Sequence, residues 1–230
     1  MSLPSRTSRP LFLVLLAVLA AGCATPRVAK DYAAWAAADP RSILIVPVVN
    51  NTVAVDAAAY FLSTIPIPVA ERGYYVFPVN MVKRVLEDDG LADASLVHQA
   101  DPMRLCKLFG SDAVLYITIQ RWDAQYLVLN TTVTVELDYA VKDGKTGDTL
   151  WTHHEQTQYS SGSGGGSGLG ALVAAIVDAA LTKAAPNFMP LARQANDSAM
   201  VYPGPGSPAG PFRPEYRRDR APAKGAAPEK

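Results

Sequence analysis

Residues 131–151 read TTVTVELDYAVKDGKTGDTLW. In an extended chain Val133, Val135, Leu137, Tyr139 and Val141 fall on one side, and Thr132, Thr134, Glu136, Asp138 and Lys142 on the other. Such strict alternation marks an antiparallel strand with one buried and one wet face. Asp143-Gly144-Lys145-Thr146-Gly147 supplies turn chemistry, and 148–159 returns as the hairpin partner.

Working outward, residues 42–49 (SILIVPVV) form a continuous, mostly β-branched apolar run, which fits a central strand buried on both faces. A helical stretch opens at Asp56, is interrupted at Pro66 and Pro68, resumes to Glu71 and stops at Gly73. Residues 74–77 form a second strand and 78–88 a short helix stopped at Gly90. Asp101-Pro102 is an N-cap followed by proline at the first helical position, and Gly110 ends that helix after Phe109. A third strand over 112–121 precedes the hairpin, and 169–185 reads as a last, nearly all-apolar helix. The expected fold is therefore α/β: one compact domain over 41–201, a mixed sheet with the order βαβααβββα, and helices packed on it.

The flanks have different physics. Arg6 and Arg9, with no acidic neighbour, precede the apolar stretch 11–21, which is too short to cross a bilayer and reads with them as a signal peptide over 1–22. It ends in Leu19-Ala20-Ala21-Gly22-Cys23, which resembles the lipobox of bacterial lipoproteins, with Ala20 where leucine is commoner. That resemblance implies cleavage before Cys23 and acylation of its thiol, each buried methylene contributing about 0.8 kcal/mol to the anchor. Residue 24 is Ala rather than the Asp that retains lipoproteins at the inner membrane, so the expected location is the outer membrane, facing the periplasm. Residues 23–40 are the lipidated cysteine and an Ala-rich tether, reaching roughly 56 Å if fully extended. Residues 202–230 hold seven prolines with Arg213, Arg217, Arg218 and Arg220, a composition expected to form a disordered tail.

The whole chain has 21 basic and 21 acidic residues, so no general field draws nucleic acid, and none is expected as a partner. Chemistry is sparse. Gly166, Gly168 and Ala171 satisfy G-x-G-x-x-A, but no strand follows before Pro186 and Pro190 and no Lys-Ser/Thr follows the glycines, so 160–171 reads as a flexible linker. His153 and Glu155 can share a strand face, yet two ligands are too few for zinc. Glu87, Asp88 and Asp89 read as a solvated helix end. Cys106 is either a small buried hydrophobe or half of an interchain disulfide. Tyr74, Tyr75, Phe77, Trp122, Tyr126 and Trp151 are core residues at strand spacing or an exposed aromatic patch. No catalytic residue, cofactor or metal is assigned, and no enzymatic activity is expected. Contact regions are expected at the tail arginines, the glycine-rich run and the hairpin face with Thr132, Thr134, Glu136 and Asp138.

RSILIVPVVN at 41–50, AERGYYVFPV at 70–79, DAVLYITIQRWD at 112–123 and KAAPNFMPLARQAN at 183–196 together resemble a family of Gram-negative lipoproteins that includes a neisserial genome-derived antigen. The hairpin, with Asp143, Thr146, Gly147, Leu150 and Trp151 at its turn, is also similar to that of the periplasmic core of the curli channel CsgG, the synthase activator LpoB and the TolB N-terminal domain. The resemblance implies a non-enzymatic, palmitate-bearing periplasmic lipoprotein that works by protein–protein interaction in transport or envelope assembly. The partners it implies are a CsgG-like lipoprotein or a second copy in a homodimer. The alternative it leaves open is an LpoB-like regulator of peptidoglycan synthesis.

Overall fold

A computed structural model describes residues 31–127, 130–160, 188–201 and 206–219. Helix α1 (Ala33–Ala38) leads into β1 (Ser42–Ile45) and β2 (Val49–Asn50), then α2 (Ala57–Leu62), α3 (Pro66–Glu71) and β3 (Tyr75–Val76). Three helices follow, α4 (Val79–Asp88), α5 (Ala94–Gln99) and α6 (Pro102–Phe109). The chain then forms β4 (Ala113–Leu127), β5 (Asn130–Asp143), β6 (Thr149–Ser160) and α7 (Met189–Met200). The strand order is β3-β1-β4-β5-β6, with β2 also on β4. β1 is parallel to β3 and β4, while β5 is antiparallel to β4 and β6. The sheet is mixed and the domain α/β, as the apolar patterning requires.

The two parities of β1 and β4 build two cores. Ile43, Ile45, Leu115, Ile117 and Ile119 point to the larger one, where α1, α2, α3 and α7 pack. Leu44, Val46, Val114 and Tyr116 point to the other, under α4, α5 and α6. The strand expected over 42–49 breaks at Pro47, which has no N–H to give the ladder, and resumes as β2. Pro66 stands in the first turn of α3, where a missing N–H costs nothing. Asp101 caps α6 by accepting from the Met103 N–H (2.9 Å), and Gly110 closes it with φ 72°. Helix α5, capped by Asp93 on Ser95 N–H (2.6 Å), is an element that its short, weakly periodic sequence does not announce.

α7 is a second unannounced element. Pro190 reads as a breaker, but it lies in the helix's first turn. The helix expected over 169–185 lies outside the described residues, as do the signal peptide, Cys23 and the glycine-rich run 161–171. α7 brings Asn196 into the larger core, where its Oδ1 accepts from Tyr139 OH (2.7 Å) and its Nδ2 donates to Thr64 Oγ1 (2.8 Å). The Thr64 hydroxyl in turn donates to the Phe61 carbonyl (2.6 Å), so the buried chain is closed.

Both flanks need correction. The tether expected to run to residue 40 is part of the fold from α1, because Trp35 is 0% exposed and meets Tyr74 edge-on at 5.8 Å. The tail expected to be loose from residue 202 is a fixed strap over residues 206–219. Gly210 N–H donates to Arg72 O (2.8 Å) and Phe212 N–H to Gly73 O (3.2 Å), along the turn between α3 and β3. Arg72 donates to Ser207 O (2.6 Å) and pairs with Asp219, and Tyr74 OH donates to Pro208 O (2.6 Å). Composition missed this because the strap is held mainly through its main-chain groups, which side-chain hydropathy does not count. Gly210 is obligatory there, since a Cβ would collide with the Gly73 carbonyl.

Replacing Asn196 with Ala strands Tyr139 OH in the core and takes from Thr64 Oγ1 the donor it accepts from, and should lower the unfolding free energy by about 3 kcal/mol, whereas Tyr139→Phe should cost about 1–2 kcal/mol, both read from urea unfolding. Gly210→Val should unseat the strap, so that trypsin cuts after Arg217 and Arg218 faster while the midpoint of global unfolding moves little.

Candidate functional site

On the larger-core side helices cover β5 and β6, but on the other side the helical layer ends early. Its cluster is built from β1, β4 and α4–α6, with only Ala140 of β5 on its margin. The rest of that sheet face forms an open groove of about 620 Å³, lined among others by His98, Tyr116, Thr118, Asp138, Lys142 and His154. Asp138, Lys142 and His154 are outward residues of the hairpin, Asp138 standing opposite His154 and Thr118 of β4 opposite Asp138, while His98 reaches the groove from α5.

A hydrogen-bonded row crosses this face. Asn51 Nδ2 donates to Gln120 Oε1 (3.1 Å), Gln120 Nε2 to Asp138 Oδ2 (2.6 Å), and His154 Nδ1 to Asp138 Oδ1 (2.7 Å). His154 Nε2 also lies 3.6 Å from Glu136, which Arg121 approaches at 3.9 Å. Gln120 reaches the row because the β4–β5 register slips between Ile119 and Arg121. The bond to Asp138 raises the His154 pKa above its ordinary value against the opposing effect of burial, with the charges of Asp138, Glu136 and Glu155 adding to the rise.

His98 behaves oppositely. Burial lowers its pKa, its Nε2–H donates to the Pro47 carbonyl (3.0 Å), and its ring meets Tyr116 edge-on at 5.1 Å. Lys142 Nζ sits 5.4 Å from the centre of the Tyr116 ring, and burial pushes the Tyr116 phenol far up. The face thus presents charged and neutral groups, several of them already tied to one another.

The other expected positions resolve one by one. Thr132, Glu136 and Asp138 are partly exposed, but Thr134 is 5% exposed, so the hairpin face is drier than alternation implies. His153 and Glu155 do share a face, with Nε2 and Oε2 at 3.0 Å, but His153 stacks on Trp151 at 5.7 Å and Glu155 accepts from Thr157 (3.1 Å). Burial pulls Glu155 up, and donors from His153, Thr157 and Ser198 outweigh it, so its carboxyl lies below the usual range. Among the described residues no group of three or more His, Cys, Asp or Glu could hold a metal.

Glu87 and Asp88 form i,i+4 pairs with Lys83 (3.8 Å) and Arg84 (3.2 Å) along α4. Cys106 is 3% exposed beneath the hairpin turn, where Gly144 leaves no room for a Cβ against its sulfur. That is the buried-hydrophobe reading of the thiol. Tyr74, Trp122 and Trp151 are core, while Tyr75 is 54% exposed. The Tyr126 side chain and Arg220 lie outside the described residues, and Arg213, Arg217 and Arg218 are on the strap. His98 and Gln120 have no sequence signal as members of the surface that Asp138 and Lys142 mark by alternation, since a helix and a bulge bring them there.

Protonated His154 favours the folded state because its folded pKa lies above the unfolded one. The contribution is complete below the ordinary histidine value and disappears as pH rises through the raised one, and for so exposed a pair it amounts to about 0.5 kcal/mol. NMR titration should place His154 above and His98 below the ordinary value, and Asp138→Asn should bring His154 back down while leaving His98 in place.

A family model described as "Putative lipoprotein GNA1162-like" matches residues 30–206. A lipoprotein of Neisseria meningitidis serogroup B, NMB1124/NMB1162, is 35% identical over 172 residues, covering 74% of this chain and 80% of that one. The crystal structure of lipoprotein GNA1162 from Neisseria meningitidis superposes with a TM-score of 0.53 and 33% identity over 63% of this chain and all of that one. The C-terminal domain of LpoB from Salmonella enterica is a remote likeness, 18% identical over 64% of this chain and 94% of that one with a TM-score of 0.36, too distant to bear on role. Sequence, length matched and fold agree: the chain belongs to the GNA1162-like family of lipoproteins.

Proposed function

We propose that the protein is an outer-membrane lipoprotein, acylated on Cys23 and facing the periplasm, which serves as a non-enzymatic assembly or accessory component of an envelope transport complex. Membership of a lipoprotein family over residues 30–206 is the observation that carries this reading. The lipobox at 19–23 supplies the attachment point and Ala24 the sorting signal. The open face of β4–β6 supplies the contact surface, because its polar groups are pre-ordered by the Asn51–Gln120–Asp138–His154 row and lose little freedom on binding. The partner is a CsgG-like lipoprotein or a second copy of the chain.

The test places a photo-crosslinking residue at Thr152, on that face, in the full-length protein in its own envelope. Capture of a CsgG-like lipoprotein or of a second copy is the expected result. Capture of a peptidoglycan synthase would replace the reading with the LpoB-like regulator, and a product that stays monomeric at every illumination would sink both. In parallel Cys23→Ser should abolish palmitate incorporation and release the protein from the membrane fraction.

A further inference from the structure

The strap and the start of the fold leave the domain at one place. Tyr32 OH donates to Gly206 O (2.7 Å), and Asp39 accepts from Tyr216 OH (2.6 Å) and from Arg217. Tyr32 is only nine residues past Cys23, a leash of at most roughly 30 Å. Whatever holds Cys23 therefore holds the strap close to it.

The strap's outer side carries the chemistry of a membrane interface. Phe212 is 71% exposed, although its own N–H is fixed to Gly73, and Tyr75 on the adjoining edge strand is 54% exposed. Among the described residues Arg213 forms an ion pair with its near neighbour Glu215 alone (3.3 Å), and Arg217 is 66% exposed even while bonded to Asp39. Among the described residues Arg218 has no carboxylate within ion-pair distance. Residues 202–230 hold six basic and three acidic residues in a chain whose totals are equal, so positive charge gathers at this end. An exposed apolar ring such as Phe212 can enter the headgroup–acyl boundary, the phenol of Tyr75 suits the headgroup layer, and guanidinium groups bind phosphate in a bidentate manner.

We infer that the strap, through Phe212, Arg213, Arg217 and Arg218, docks on the anionic phospholipid headgroups of the leaflet that carries the anchor. The inference rests on acylation of Cys23 for the orientation of the domain, and the reach of the leash together with the charge of the strap selects the lipid surface. Docking would hold the strap side against the bilayer with two contacts, the acyl chains and the arginines, in place of one.

The test uses the mature chain with Cys23→Ser, so that vesicle binding is read without the acyl group and separately from the crosslinking above. Cosedimentation is compared on vesicles of phosphatidylethanolamine and phosphatidylcholine with and without phosphatidylglycerol. Binding should require phosphatidylglycerol, weaken about fivefold in Arg218→Ala and fall further in Arg218→Ala with Phe212→Ser. Phe212→Trp should show a blue-shifted emission on the same vesicles, and circular dichroism should be unchanged in every variant. Equal binding to both vesicle types, binding indifferent to Arg218 and Phe212, or cosedimentation with peptidoglycan sacculi but not with vesicles would overturn the inference. The mass of the mature protein extracted from membranes reports the state of Cys23 independently.

Discussion

β1 and the first half of β4 carry apolar side chains on both faces, and everything else in the domain answers to that constraint. A strand of this kind cannot face water on either side, so a helical layer is required on each. Leu44 and Ile45 are adjacent in sequence and 0% and 1% exposed, yet they belong to different cores. β4 takes β1 and β2 as parallel partners on one edge and β5 as an antiparallel partner along its whole length on the other. The change from parallel to antiparallel pairing therefore happens across this one strand, and the second helical layer ends close to it, with only Ala140 of β5 on its margin. The open groove lies where that layer stops.

The larger core contains a polar thread, Tyr139–Asn196–Thr64, joining β5, α7 and the end of α2. Since each member is buried and satisfied, the thread restricts where α7 can sit more sharply than Leu191, Ala192 and Ala195 could through apolar contact alone. The turn of the hairpin is fixed in a similar way on the other side, where Asp143 Oδ2 accepts from Thr146 N–H (3.1 Å) and Oγ1 (2.9 Å) and Gly144 rests on Cys106.

Sequence patterning revealed what depends on local periodicity. The alternation over 132–142 gives the hairpin register, the run at 42–46 gives the central strand, and Asp101-Pro102 with Gly110 brackets α6. It failed where structure depends on partners distant in the chain. Pro190 reads as a stop until its position in a first turn is known, and the Pro/Gly composition of 206–219 conceals main-chain bonds to Arg72 and Gly73. The same reason hides most of the groove. Glu136 and Asp138 are visible from their alternation, but Asn51, His98 and Gln120 join them only through tertiary placement, and the bulge that admits Gln120 has no sequence mark.

The meeting of the two chain ends also has a mechanical side. A pull transmitted along residues 24–31 enters the domain at Tyr32 and α1, where Tyr32, Asp39 and Trp35 pass it to the strap and to the β3 edge. α1 also packs on β6, at the opposite end of the sheet from β3, so the entry point touches both margins. Load entering there is thus shared between the strap on one margin and the hairpin on the other, so the start of the fold is braced across the width of the sheet and not at a single edge.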